Sequence, residues 1–343
     1  MYNFLNDYSE GAHPSILKKL WETNLVQTMG YGEDEYCDEA RHKIQEALKS
    51  DSVVEFMMAG TQTNLTVIAH LLKPYEGIVG VETCHPANHE AGAVEATGHK
   101  IITVASDDGK LKASQLEKIL SEHKNNPIKE HCVRPGLVYI SDATEIGTVY
   151  TKKELSDLHE VCREYSVPLY IDGARLGCAL MSKECDFEFS DLAQLCDIFY
   201  IGGTKMGALL GEAVVFNDKK AAENFRYSQK QRGALYAKGR ILGIQFSCLF
   251  EDGLYFKLAK HADEEAQRMQ DAFIENNIPL MIKSASNQIF PILTDAQMKF
   301  INEDFNFEIW GPVDEKRTAV RFFTSWATDP EQVDKLIEKI KAL

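Results

Sequence analysis

The chain has 343 residues, 44% of them hydrophobic, which is enough to bury a sizeable core and to build about two domains. Lys and Arg number 37 against 52 Asp and Glu; a net charge of −15 with no basic run to interrupt it excludes a phosphate backbone as a natural partner. No run of about 18 uncharged apolar residues occurs, which excludes a helix that spans a membrane.

The opening "MYNFLNDYSEG" has neither the basic start nor the apolar core of a secretion signal. The cysteines include no C-x-x-C pair, so neither a zinc site nor a disulfide framework is expected, and the thiols read as reduced in a cytoplasmic protein. From about residue 50 to residue 216, short apolar runs alternate with longer amphipathic stretches. "VVEFMMAG", "GIVGVE", "KIITVA", "GLVYISDA", "PLYIDGA", "DIFYIGG" and "EAVVFN" read as strands, and "KKELSDLHEVCREYS" as one of the helices between them. This is the pattern of a wound α/β sheet. After residue 240 the texture changes to a long helix, "LAKHADEEAQRMQDAFIENN", strand candidates "NQIFPIL" and "TAVRFFTSW", and a last helix "PEQVDKLIEKIKAL". The expected organisation is an N-terminal arm over residues 1–15, a large α/β domain over 16–240 and a smaller α+β domain over 241–343.

In such a sheet, ligands gather outside the carboxyl ends of the strands. Those ends carry Gly60-Thr61-Gln62, His85, Glu145, Asp172 with Arg175, and Thr204-Lys205. Gly60 and Thr61 open an apolar helix whose free N–H groups suit a phosphate, although Thr and Asn are also ordinary helix caps. Asp172 ends a buried strand, where a carboxylate is expensive unless it meets a cation. Arg175, three residues on, is one such cation; a protonated heterocycle is the other. Lys205 follows "YIGGT". Strand-end lysines are commonly solvated, but two glycines admit another body close to the backbone, and a lysine stripped of water becomes a nucleophile towards an aldehyde. A buried amine and a carboxylate beside a ring nitrogen are what pyridoxal phosphate requires.

"NDYSEGAHPSIL", "GYGEDEYCDEA", "AGTQTNL", "YIDGARLG", "YIGGTKMG" and "VRFFTSWAT" occur in this order along nearly the whole chain. Together they resemble the threonine aldolase branch of the fold-type-I pyridoxal phosphate enzymes. The resemblance implies a mainly parallel seven-stranded sheet with helices on both faces, a small C-terminal α+β domain, and a homodimer or homotetramer with active sites at the subunit interface. It implies that Lys205 carries the cofactor, Asp172 pairs with the pyridine nitrogen, Gly60 and Thr61 bind the phosphate, and Gln62, Arg175 and Thr204 also contact the cofactor. His85 would stack on the ring. Arg175 and Arg321 would hold the substrate carboxylate, with Asn6 beside it, Tyr31 at the entrance, and Lys230 or Lys238 reaching a neighbouring subunit's phosphate. The implied reaction is retro-aldol cleavage of L-threonine, L-allo-threonine or a related β-hydroxy-α-amino acid to glycine and an aldehyde.

The sequence departs from this pattern at one place. Many threonine aldolases carry a histidine near the substrate hydroxyl, in the segment that aligns with "DATEIGTVY"; here the corresponding residue is Glu145. Glu145 and His85 therefore both stand as candidate bases. A β-eliminating lyase or an aminotransferase would share Lys205, Asp172 and the phosphate site, differing in which Cα bond is cleaved. A non-catalytic binding protein would have no need of two arginines aimed at a carboxylate.

Overall fold

A two-residue strand, β1 (Tyr2–Asn3), precedes the α/β alternation in the computed structural model, which describes residues 1–343. The seven apolar runs then become β2 (Val53–Met57), β3 (Glu76–Val81), β4 (Ile101–Val104), β5 (Arg134–Ser141), β6 (Leu169–Asp172), β7 (Ile198–Gly202) and β8 (Glu212–Phe216). They form one sheet in the order β2-β8-β7-β6-β5-β3-β4. β8 pairs antiparallel with both β2 and β7, and every other pairing is parallel. The expected mainly parallel α/β sheet is thus the observed one.

Strands β3, β6, β7 and β8 are buried along their whole length because helices cover both faces of the sheet, which is why they read as continuous apolar runs without alternation. The helix Lys152–Tyr165 shows how the sequence supplies a cover. Leu155, Leu158, His159 and Cys162 recur at helical spacing and are its buried face. Thr151 and Glu154 close a capping box at its start, and Ser166 ends it in a left-handed conformation.

Beyond the sheet, the helices Arg240–Phe250 and Leu254–Glu275 lead to β9 (Gln288–Ile289), β10 (Ile292–Thr294), β11 (Phe305–Asn306), β12 (Glu308–Pro312) and β13 (Arg317–Phe323), then to the helix Pro330–Ile340. β13 pairs antiparallel with β9, β10 and β12. A second apolar core forms here around Phe273, Phe305, Phe322 and Leu336. The long helix serves both cores: Tyr255 to Ala262 pack with the large sheet, Ala266 to Phe273 with the small one. The change of core therefore falls inside that helix, later than the change of sequence texture at residue 240. The N-terminal arm is also drawn in, since β1 pairs with β11 and Phe4 sits in the second core.

Candidate active site

At the carboxyl edge of the sheet lies a cavity of about 390 Å³ whose walls include Gly60, Thr61, His85, Asp172, Thr204 and Lys205. Lys205 stands on the turn between β7 and β8. The two glycines before it do admit a close neighbour, but the neighbour is the chain itself. A Cβ on Gly202 would lie 2.3 Å from the carbonyl oxygen of Ala174, and one on Gly203 would lie 2.6 Å from that of Gly211. Gly202 therefore lets the turn close on the 173–174 loop, and Gly203 lets it close on its own far side at Gly211. Burial holds the Lys205 amine below the usual lysine range, helped by the Arg175 guanidinium and opposed by Asp7, Asp172 and Glu212. Arg175 and Arg321 both have ion-pair partners, whereas Lys205 forms no ion pair.

Asp172 is buried at the end of β6, and a set of donors keeps it ionised. Its Oδ2 accepts from the Tyr139 hydroxyl at 2.5 Å and from Asn64 Nδ2 at 2.9 Å, while Oδ1 accepts from the Ala174 N–H at 3.0 Å. Burial pushes its carboxyl up, but His85 and the hydrogen bonds from Tyr139, Tyr200 and Asn64 bring it below the usual carboxylate range. Arg175 does not pair with it. That guanidinium instead grips the buried Asp7, Nε to Oδ2 at 2.7 Å and Nη2 to Oδ1 at 3.2 Å.

His85 opens a short helix after β3. Its Nδ1 lies 2.8 Å from Glu90 Oε1, which also accepts from Asn64 Nδ2 at 2.7 Å. Its backbone N–H donates to Glu145 Oε1 at 2.9 Å, and the Ser141 hydroxyl donates to the same oxygen at 2.6 Å. Glu145 is thus tied to the His85 peptide, not to the "IGTVY" turn that follows it. Burial raises its carboxyl above the usual range against the lowering effect of Ser141.

Arg321, on β13, points from the small unit towards this edge. Its Nε donates to Glu308 Oε2 at 2.6 Å, its guanidinium lies 4.4 Å from the Trp310 ring centre, and Nη1 reaches the Glu145 carbonyl oxygen at 3.4 Å. Asn6 instead closes a local turn, accepting from the Tyr8 N–H and the Ser9 hydroxyl; its neighbour Asp7 is the one inside. Gln62 accepts from the Tyr236 hydroxyl. Tyr31, with φ of 62°, stacks with exposed Lys230 at 4.8 Å, and these two residues and exposed Lys238 do not line the cavity.

Three buried carboxylates at this edge were not singled out from the sequence: Asp7, Glu90 and Glu212. Glu212 is instructive. Inspection of carboxyl strand ends passes over it because it begins a strand; β8 runs antiparallel, so its amino end shares the edge with the carboxyl ends of its neighbours. The available signal was a charged residue starting the apolar run "EAVVF".

The residues fit pyridoxal phosphate. The helix Gly60–Leu71 begins at the cavity with Ala59 as its cap residue, whose methyl group accepts nothing, so the first N–H groups and the positive end of the helix are left for an anion. Asp172, held ionised, suits a protonated ring nitrogen, and Lys205 suits the aldehyde.

Comparison with known proteins agrees with this geometry. Residues 6–296 match the family model described as beta-eliminating lyase. The solved threonine aldolase of Leishmania major is 42% identical and superposes with a TM-score of 0.97, covering 100% of this chain and 99% of that one. The low specificity L-threonine aldolase of Pseudomonas sp. (strain NCIMB 10558) is 29% identical over 99% of this chain and 97% of its own length. A Thermus thermophilus aspartate aminotransferase, 10% identical with a TM-score of 0.72 over 100% of this chain and 91% of that one, shares the fold.

Proposed function

The chain belongs to the beta-eliminating lyase family, within its threonine aldolase branch, and from that premise we propose that it cleaves L-threonine, L-allo-threonine or a related β-hydroxy-α-amino acid to glycine and an aldehyde, with pyridoxal phosphate carried on Lys205. The observation that carries this reading is the pairing of an amine below its usual range with an ionised buried Asp172 across one cavity. Bound pyridoxal phosphate supplies a protonated ring that accepts the electrons of the breaking Cα–Cβ bond.

The chain's own residues do the rest. Asp172, fixed by Tyr139 and Asn64, keeps a proton on the ring nitrogen. The start of the helix Gly60–Leu71 would anchor the phosphate, with Gln62 and Thr204 as further cofactor contacts, and His85, oriented by Glu90, would lie against the ring. Arg321 and Arg175, held in place by Glu308 and Asp7, bind the substrate carboxylate and orient it so that the Cα–Cβ bond is the one that breaks. Glu145 removes the β-hydroxyl proton; burial that lifts its carboxyl towards neutrality makes it a better base. The named relatives, threonine aldolases, favour this bond over those broken by an aminotransferase.

Tyr31, Lys230 and Lys238 act at the site of a second copy in a homodimer or homotetramer, a role supported by their exposure and by exposed Trp21, Leu25 and Met29 nearby in sequence. Eight unpaired cysteines support a reducing, cytoplasmic setting. Borohydride reduction of the loaded protein should fix the cofactor to the Lys205 peptide, and allo-threonine or phenylserine should yield aldehyde without ammonia or keto acid. A label on another lysine, or keto acid as the product, overturns the reading.

A further inference from the structure

Glu212 is a buried carboxylate that the reaction above does not use, yet it faces the residue on which the reaction depends. Both of its oxygens are spent on the two residues before Lys205: Oε2 accepts from the Gly203 N–H at 3.0 Å, and Oε1 accepts from the Thr204 hydroxyl at 2.9 Å. The Thr204 oxygen in turn accepts from the Gly211 N–H at 3.1 Å, so one carboxylate and one hydroxyl close the whole 203–211 turn. A neutral amide or hydroxyl would close such a turn without the cost of burying an ionisable group. A carboxylate there calls for a reason, and Lys205 supplies it.

We propose that Glu212 is a positioning residue for Lys205: it fixes the turn that aims the amine into the cavity, and its negative charge holds the proton of that amine. The purpose assigned to this proton rests on the reading of Lys205 as the cofactor's carrier. An amine that must leave the cofactor when substrate arrives, and recapture it afterwards, needs a place for its proton, and a fixed carboxylate beside it provides one. The groups facing Glu212 are Thr204 and Lys205 on its own turn, Asp172 at the end of β6, Tyr200 on β7, Tyr170 on β6, and Tyr255 on the long helix. Lys205 is the one cation among them. The amine also faces Arg175, Asp7 and Asp172. Burial pushes the Glu212 carboxyl up to about 8, and Lys205 is among the groups that pull it back. The two groups line the same cavity, with the Glu212 carboxylate bonded to the two residues that precede Lys205, so the charge of one bears on the proton of the other.

The test compares Glu212→Gln and Glu212→Asp with the parent in two measurements besides turnover. Competitive acetylation of cofactor-free protein, followed on the Lys205 peptide by mass spectrometry across pH, reads the proton affinity of the amine directly. Removing a neighbouring anion should lower its midpoint by about one pH unit or more in Glu212→Gln, with Glu212→Asp between Gln and parent. The absorption titration of the cofactor-loaded protein should show a midpoint displaced in the same direction. A Glu212→Gln protein that melts like the parent and keeps both midpoints overturns the proposal, leaving Glu212 as a clasp for the turn. If Glu212→Gln does not fold, the parent is tested by infrared difference spectroscopy: a carboxyl band that changes when Lys205 is acetylated supports the coupling, and an unchanged spectrum overturns it. Failure of the cofactor to attach at Lys205 would instead strike the proposed function and leave the acetylation result standing.

Discussion

The two edges of the central sheet carry charge in opposite ways. At the amino edge, two hollows of about 670 and 770 Å³ open between strand starts, lined by exposed or half-exposed residues such as Lys124, Lys129, Arg134, Arg163 and Lys220. At the carboxyl edge the cavity is smaller, about 390 Å³, but Asp7, Glu90, Glu145, Asp172 and Glu212 are all buried at or beside it, around one lysine without an ion pair. The larger hollows are not the richer in buried charge: buried carboxylates gather at the smaller one, while the amino edge has the buried Glu76. In water a surface ion pair is screened and contributes little, whereas a buried charge alters the proton affinity of every neighbour. The larger hollows are lined mostly by charges that solvent reaches, with Glu76 the buried exception.

The sharpest way to break this comparison is to remove one lysine from each edge. Lys205→Ala should reduce cleavage on the order of 10⁴-fold, whereas Lys129→Ala should leave turnover within experimental scatter; comparable losses in the two variants would dissolve the distinction.

Glu145→Gln should slow cleavage by about 10²–10⁴-fold. Because the Glu145 carboxyl is raised by burial, the parent rate should fall as pH drops through that raised value and protonates the base, and the variant should lack this acid limb while still binding glycine. A rate profile with its acid limb unmoved would transfer the role to His85.

Asp7→Asn probes stability at the same edge. Burial raises the Asp7 carboxyl, but Arg175 and Lys205 overcome this and hold it below the usual range, so its contribution is present above the unfolded value and is lost as pH falls through the lower folded one. Removing one partner of this buried pair should cost about 3–5 kcal/mol in denaturant unfolding near neutral pH, with the difference from the parent shrinking in acid.

Arg134→Ala supplies the smallest effect. Arg134 meets Glu76 at 3.3 Å at the amino edge; its own side chain is half-exposed and the buried Glu76 keeps the Lys73 N–H as a donor at 2.9 Å, so the loss should be about 1 kcal/mol and leave turnover unchanged.

The sequence by itself determined the sheet and half of the site. Seven apolar runs became seven strands because a strand covered on both faces has little room for polar residues, and the polar residue that ends such a run is conspicuous. Lys205, Asp172, His85, Glu145 and Thr61 stood out for that reason, and all line one cavity. Only the tertiary structure decided who pairs with whom. Arg175, three residues from Asp172, turns instead to Asp7, 168 positions away, because β1 and Phe4 anchor the arm in the small core and deliver Asp7 to this edge. Glu212 joined the site because β8 reverses direction, and Arg321 because β13 belongs to a second unit facing the first. Burial leaves a local trace in a sequence, as a run of apolar residues and its end; the partner of a buried charge is set by chain crossings that no local pattern records.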